Sequence, residues 1–129
     1  MKGAQKVSPE INNQLKYLEE LKRRMPMLVM GKITLIKDFQ DWKDMVQENS
    51  DKLQEYGMNF VFAGTQADDP TILHTVMHFE SLEHLQRFQS DEELTRRRAE
   101  VVDVDSAVMT PIADDAFTNY PHALTIEGE

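Results

Sequence analysis

The segment Met58–Phe79 constrains the fold most strongly, because it has the pattern of two strands joined by a short polar turn. Alternation along its first half predicts a strand with Phe60, Phe62 and Gly64 on one face. The tripeptide Asp-Asp-Pro between the halves is a turn signature. The return strand, Ile72–Phe79, is largely apolar on both faces, which is typical of an inner strand. The segment therefore predicts a β-hairpin.

A strand and a helix precede this hairpin. Leu28–Ile36 alternates as a first strand, and its central Gly31 indicates a bulge or the close approach of another group. An apolar stripe at helical spacing then predicts a helix that Asp38 caps and Gly57 ends. The dipeptide at Asn49 and residue 50 is a candidate kink within that helix.

After the hairpin, the chain again alternates between helical and strand patterns. Ser81 caps a short helix, and Ser90 with Glu93 forms a capping box for a second segment over about residues 91–101. Ser106–Ile112 predicts a fourth strand, with Pro111 at the sheet edge. The resulting order, β-α-β-β-α-β, predicts an α+β fold: a ferredoxin-like antiparallel sheet with its helices on one face.

Two segments flank this domain, which we place at residues 27–113. Residues 1–26 form a helical extension, in which Ser8 and Pro9 begin a helix and Pro26 ends it. Residues 114–129 read as a tail, with Phe117 and Tyr120 as candidate anchors. The helix has only a narrow apolar stripe, so it needs the main domain or a second subunit to lie on.

Composition excludes several classes of function. A net charge of −9 argues against nucleic acid and anionic membrane as partners, because phosphate binding needs concentrated Lys and Arg. The absence of cysteine excludes disulfides, thiolate nucleophiles and cysteine metal sites. The start of the sequence lacks the apolar run of a signal peptide, and we predict a cytoplasmic protein without membrane partners.

The predicted arrangement leaves one sheet face without helices. Apolar or mixed residues occupy that face on every strand, and a monomer rarely exposes so much apolar area. Two such sheets packed face to face would cover it. We therefore predict a homodimer.

Three motifs in this element order resemble the dimeric α/β-barrel superfamily, which includes antibiotic-biosynthesis-monooxygenase-like proteins. They are FVFAGTQADDP, LHTVMHFES and SDEELTRRR. The resemblance covers about residues 28–112 and is greatest to a family of small single-domain members of unassigned activity. The superfamily includes cofactor-free monooxygenases, haem-binding enzymes, isomerases and proteins without known activity, so the resemblance implies a dimeric barrel fold and selects no reaction.

The sequence offers one candidate catalytic residue and an aromatic candidate pocket. A neutral His78 in a cleft could take a proton from a phenol or enol. Asn49 is a candidate polar contact to a small apolar or aromatic ligand. The other ligand-binding candidates are Trp42, Tyr56, Phe60, Phe62 and Phe79. The alternative, common for aromatics at this spacing, is that they only form the core.

Metal and cofactor sites are not predicted. His74 and His78 lie about 13 Å apart along a strand, too far to bind one ion. His78, Glu80 and His84 would converge only if the strand continues to residue 80. For the three consecutive arginines at 96–98, we predict a solvated helix face on which they balance the charge of nearby glutamates. The alternative is anion binding.

Two functional hypotheses follow. The first is a small-molecule-binding protein with cofactor-independent oxygenase or isomerase activity that depends on His78. The second is a non-catalytic structural or protein-interaction module with the N-terminal helix as its contact element.

Overall fold

The computed structural model describes residues 9–113 and 116–120, and shows an α+β fold. Within this part of the chain there are five helices and four strands, and the strands form one antiparallel sheet. The elements are α1 (Pro9–Arg24), β1 (Met27–Leu35), α2 (Phe39–Glu48), α3 (Ser50–Glu55), β2 (Met58–Thr65), β3 (Ile72–Phe79), α4 (Leu82–Ser90), α5 (Glu92–Arg98) and β4 (Val102–Ile112).

The sheet has the strand order β2-β3-β1-β4. The predicted hairpin is confirmed, and β3 is an inner strand between β2 and β1. Strand β4 lies at the opposite edge and carries Pro111, as predicted. In the middle of the sheet, Gly31 of β1 faces Thr75 of β3 on one side and Met109 of β4 on the other.

A β-bulge in β2 corrects the predicted facing of this strand. Phe60 pairs with Met77, whereas Phe62 pairs with Val76, so Val61 is an extra residue between two paired positions. An inserted residue reverses the alternation of all later side chains. The prediction that Phe60 and Phe62 share a face is therefore wrong.

The helix ends agree with the sequence except at α5. The Asp38 side chain accepts a hydrogen bond from the Asp41 amide at 2.9 Å, the helical stretch breaks at Asn49, and Gly57 has φ 58°. The predicted capping box is wrong by one position, because Asp91 caps α5 by accepting from the Leu94 amide at 2.8 Å. A carboxylate at this position satisfies a free helical N–H as well as a serine does.

We call the sheet face packed against α2–α5 the covered face. It carries Val29, Leu35, Leu73, Met77 and Phe79, all buried. These side chains pack into two apolar clusters with residues of the helices and their flanking turns: Trp42, Tyr56, Leu85, Phe88, Leu94 and Val101. Burial of this apolar area is the main force that holds helices to sheet.

We call the opposite side of the sheet the open face, because none of its described side chains belongs to either apolar cluster. Met30, Phe62 and Val108 have exposed fractions of 50%, 40% and 57% there. Leu28, His74, Val76 and His78 are half-buried on the same face.

Helix α1 lies beside α4, where Arg23 and Glu83 form an exposed ion pair at 3.9 Å. It ends at Arg24, two residues before Pro26 as predicted, whereas the predicted cap Ser8 lies outside the described residues. In the tail, residues 116–120 form no helix or strand, and Phe117 is 86% exposed. Among the described helices, none combines the length and apolar character needed to cross a bilayer.

Candidate functional site

A partly open cavity of about 70 Å³ lies between the covered face and helices α2–α5. Its floor is the centre of the sheet, with Gly31, Leu73 and Thr75. Its remaining wall is mainly apolar and includes Trp42, Val46, Leu53, Phe60, Phe88 and Met109. We call this cavity the pocket. Its position between a rigid sheet and packed helices is a common one for a ligand site.

Three of the predicted ligand-binding residues line the pocket. They are Trp42, Asn49 and Phe60. Trp42 is 5% exposed and meets Phe60 edge-on, with 5.2 Å between ring centroids. The helical stripe of α2 directs Trp42 at the sheet, and Phe60 precedes the bulge, so both aromatic rings reach the same space.

Asn49 is buried at the break between α2 and α3. Its side-chain amide donates to the Met45 carbonyl at 2.8 Å, and its oxygen accepts from Arg97 at 3.3 Å. Both ends of this side chain are thus engaged within the protein. Asn49 joins α2 to α5 and shapes the pocket wall.

Tyr56 and Phe79 belong to the core beside the pocket and are not part of its wall. The Tyr56 hydroxyl donates to Asp91 Oδ2 at 2.5 Å. This hydrogen bond raises the pKa of Tyr56 to about 12 and lowers the pKa of Asp91 to about 2. Lys52, whose Nζ is 3.4 Å from the same carboxylate, adds to the second effect. The hydrogen bond between Tyr56 and Asp91 connects the end of α3 to the start of α5.

His78 and Phe62 lie on the open face, on the far side of the sheet from the pocket. His78 is paired with Leu28 on β1 and Asn59 on β2. Phe62 was expected beside Phe60, but the bulge at Val61 turns it away. The structure therefore does not bring His78 together with Trp42 and Phe60.

Sequence reasoning missed Thr75, which pairs with Gly31 at the pocket floor. A Cβ on Gly31 would lie 2.5 Å from Thr75 Oγ1, which confirms the predicted close approach at this glycine. Thr75 is 8% exposed, and its hydroxyl forms no hydrogen bond with another described residue. Because no buried side-chain oxygen in this part of the chain lacks a partner, the hydroxyl is accessible from the cavity. The one available signal was a glycine and a threonine at the centres of two apolar strands.

Arg98 was also missed, because it ends a run of three arginines that reads as a solvated surface. The structure places it in the pocket wall, with its guanidinium carbon 5.0 Å from the centroid of the Phe88 ring. Burial lowers the pKa of Arg98 from its ordinary value, although a guanidinium remains charged at neutral pH. Only Arg96 and Arg97 have the exposure that the sequence predicted.

Two of the histidines that suggested a metal have other contacts. His84 Nδ1 is 2.6 Å from Ser81 Oγ, at the start of α4, and His74 Nε2 is 2.7 Å from Gln66 Oε1. Over residues 9–113 and 116–120, no group of three His, Asp or Glu side chains is arranged to hold an ion.

Comparisons with known proteins bear on the fold. No family model matches the sequence. No curated protein matches it either. A crystal structure of the methylated RPA0582 protein is similar, with a TM-score of 0.52 and 12% sequence identity over 87% of this chain and 95% of that one. At this identity the likeness concerns the fold alone.

Proposed function

We propose that this protein binds a small, mainly apolar molecule in the pocket. The observation that carries the proposal is a cavity in a packed core whose wall combines aromatic side chains with the Thr75 hydroxyl and the Arg98 guanidinium. Protein interiors are normally packed without voids of this size. The Thr75 hydroxyl and the Arg98 guanidinium are accessible in this one, and neither has a hydrogen-bond partner among the described residues. A cavity that keeps both features is suited to a ligand.

Binding is better supported than catalysis in this pocket. Among the described residues of its wall there is no histidine, aspartate or glutamate to act as a general base. Oxygenase or isomerase chemistry by His78 would have to take place on the open face, between two facing sheets. Its catalytic role stays a prediction.

We also propose that the sheet is ferredoxin-like and pairs with a second copy as in the dimeric α/β barrels. Read from the other edge, the order is β4-β1-β3-β2, with two consecutive β-α-β halves. The half-exposed apolar side chains of the open face, including Met30, Phe62 and Val108, support the homodimer, because monomers seldom expose such a surface.

Fluorescence tests the pocket directly, because Trp42 is the only tryptophan of the chain and lies in the pocket wall. We expect toluene and phenol to change its emission saturably. Val46→Phe, which fills the pocket from α2, should abolish the change. Val61→Phe, on the exposed bulge, is the matched control and should retain it. NMR titration provides a second measurement. If neither probe causes a saturable change in Trp42 emission or in the NMR chemical shifts of the native protein, the binding proposal is refuted.

Sedimentation velocity tests the dimer. We expect a dimer at micromolar concentration and a monomer for Val76→Asp, which puts a charge at the centre of the open face. Gln47→Asp makes the same change of charge on the exposed side of α2 and should leave the dimer intact. A stable native monomer would contradict the face-to-face pairing.

One observation favours the second candidate function, a protein-interaction module. Leu15 and Leu18 on α1 have exposed fractions of 50% and 53%, so this helix presents an apolar stripe outside the core. If α1 binds a partner, Leu15→Glu with Leu18→Glu should abolish that interaction in pull-downs and leave ligand binding at Trp42 unchanged. Pull-downs unaffected by the two substitutions would contradict it.

A further inference from the structure

We propose that the pocket selects a small carboxylate with an apolar body, whose carboxylate is held by Arg98 and Thr75. This inference rests on the proposed binding function and adds the class of ligand.

The charge of the pocket wall is opposite to that of the chain. The sequence has 23 acidic and 14 basic residues. Yet the described residues that line the pocket include no carboxylate. Of their two charged members, Lys32 is exposed and pairs with His74 on the open face, so Arg98 is the one whose charge belongs to the pocket wall. In so acidic a protein, such a wall attracts an anion and repels a cation.

Arg98 differs from its neighbour Arg97 in its partners. Arg97 binds Glu93 at 3.2 Å and Asn49 at 3.3 Å. For Arg98, by contrast, the described residues supply the Phe88 ring but neither an ion pair nor a hydrogen bond. Arg98 is half-buried, and partial removal of a guanidinium from water costs free energy. A bound carboxylate would offset that cost.

The guanidinium over the Phe88 ring also has the right shape for a carboxylate. Contact with Phe88 restricts its orientation, and a planar fork of N–H donors matches the two oxygens of a carboxylate. The Thr75 hydroxyl, which has no protein partner among the described residues, is a further donor in the same pocket. A phosphate dianion would need more cationic contacts than one half-buried arginine supplies.

The cavity determines the rest of the ligand. Its volume of about 70 Å³ is smaller than the roughly 150 Å³ of an engineered apolar cavity that takes up benzene. A ligand therefore fills the pocket with a short apolar group or one ring that extends through the open side. The wall of Trp42, Phe60 and Met77 favours an apolar body over a sugar or a polar amino acid.

Matched acid and amide pairs test the inference. We would titrate the full-length protein with isobutyrate and isobutyramide, and with benzoate and benzamide, and follow Trp42 emission and NMR shifts. Each acid and its amide share a shape and differ in charge. We expect each acid to bind at least tenfold more tightly than its amide, as for a hydrogen bond to a charged group.

Three variants separate recognition from structure. Arg98→Gln should reduce acid affinity at least tenfold and leave amide affinity within about twofold. Arg98→Lys should restore part of the preference for the acid. Arg96→Gln removes the same charge from the exposed side of α5 and should have no effect. Thermal melting of each variant measures how far loss of the contact between Arg98 and Phe88 lowers stability.

The outcomes distinguish this inference from the proposed function. If acids and amides bind the native protein equally, the pocket binds ligands but the anion inference is wrong. If Arg98→Gln weakens both members of a pair equally, Arg98 only shapes the pocket and the inference is again wrong. If the acids, the amides, toluene and phenol all fail to bind the native protein, both proposals are refuted.

Discussion

The two faces of the sheet are made by the same four strands, yet they differ in almost every physical respect. The covered face buries Val29, Leu73 and Phe79 to 1% exposure or less and holds the pocket. The open face carries His74 and His78 among half-exposed apolar side chains. Burial on the covered face supplies stability and encloses the pocket, whereas the open face exposes apolar side chains that the proposed dimer would cover.

We expect the largest difference in stability between substitutions on the two faces at two adjacent residues of β3. We expect Phe79→Ala to lower the free energy of unfolding by about 3–5 kcal/mol, because it empties a fully buried site. His78→Ala, one residue away on the open face, should cost less than about 1 kcal/mol at a fixed protein concentration. Urea unfolding measures both, and equal losses would remove the distinction.

The bulge at Val61 gives a second comparison, between Phe60 and Phe62. Phe60→Ala should cost about 2–3 kcal/mol, below the value for a fully buried phenylalanine, and should change Trp42 emission because the rings touch. Phe62→Ala should act through the proposed dimer, so its cost should depend on protein concentration. Urea unfolding at two concentrations checks this, and a concentration-dependent loss for Phe60→Ala would contradict it.

The floor of the pocket should respond to one added methyl group. Gly31→Ala would place Cβ 2.5 Å from Thr75 Oγ1, and we expect a loss of about 1–3 kcal/mol. Thr75→Ala removes that oxygen, so in the double variant the cost of Gly31→Ala should fall by about 1 kcal/mol or more. A double-mutant cycle with additive losses would show that the close contact carries no strain.

The smallest effect concerns the pair of Tyr56 and Asp91. Tyr56→Phe should cost about 1–2 kcal/mol at neutral pH, as for a hydrogen bond to a charged group. Folding lowers the pKa of Asp91, so this stabilisation is present above its ordinary value of 3.8 and is lost as pH falls towards 2. Folding raises the pKa of Tyr56, so at the alkaline end stability is lost as pH rises from 10 towards 12.

Unfolding measured between pH 2 and pH 11 checks this prediction. Tyr56→Phe should abolish the loss of stability that residue 56 causes at the alkaline end. At the acid end it should reduce the change of the free energy of unfolding with pH but not abolish it, because Lys52 and the Leu94 amide still lower the pKa of Asp91. Lys52→Met should weaken only the acid side. A native-like pH profile for Tyr56→Phe would contradict the role given to this hydrogen bond.

Local patterns predicted most of the elements. Asp38, Gly57 and Pro26 mark element boundaries because capping, a positive φ and a missing N–H act within a few residues. The apolar character of both faces of β3 was also sufficient to identify an inner strand. The bulge at Val61 was not predictable, because it depends on the register between β2 and β3 and not on the composition of either.

The site was predictable only in part, and for the same reason. Trp42 and Phe60 were found because large aromatics on apolar stripes face the core. Tyr56 and Phe79 follow the same rule but lie just beside the pocket, and no local pattern separates the two cases. Arg98 was assigned to the surface, because its neighbours are charged and exposed.

The sequence by itself determined the class of fold, the inner strand and most helix ends, since these depend on interactions within a few residues. Only the tertiary structure decided that the hairpin divides its aromatics between two faces, and that Gly31, Thr75 and Arg98 meet in one cavity. Those residues are 23 or more positions apart along the chain. Their convergence depends on strand register and helix packing, which are set by how all the buried side chains fit together.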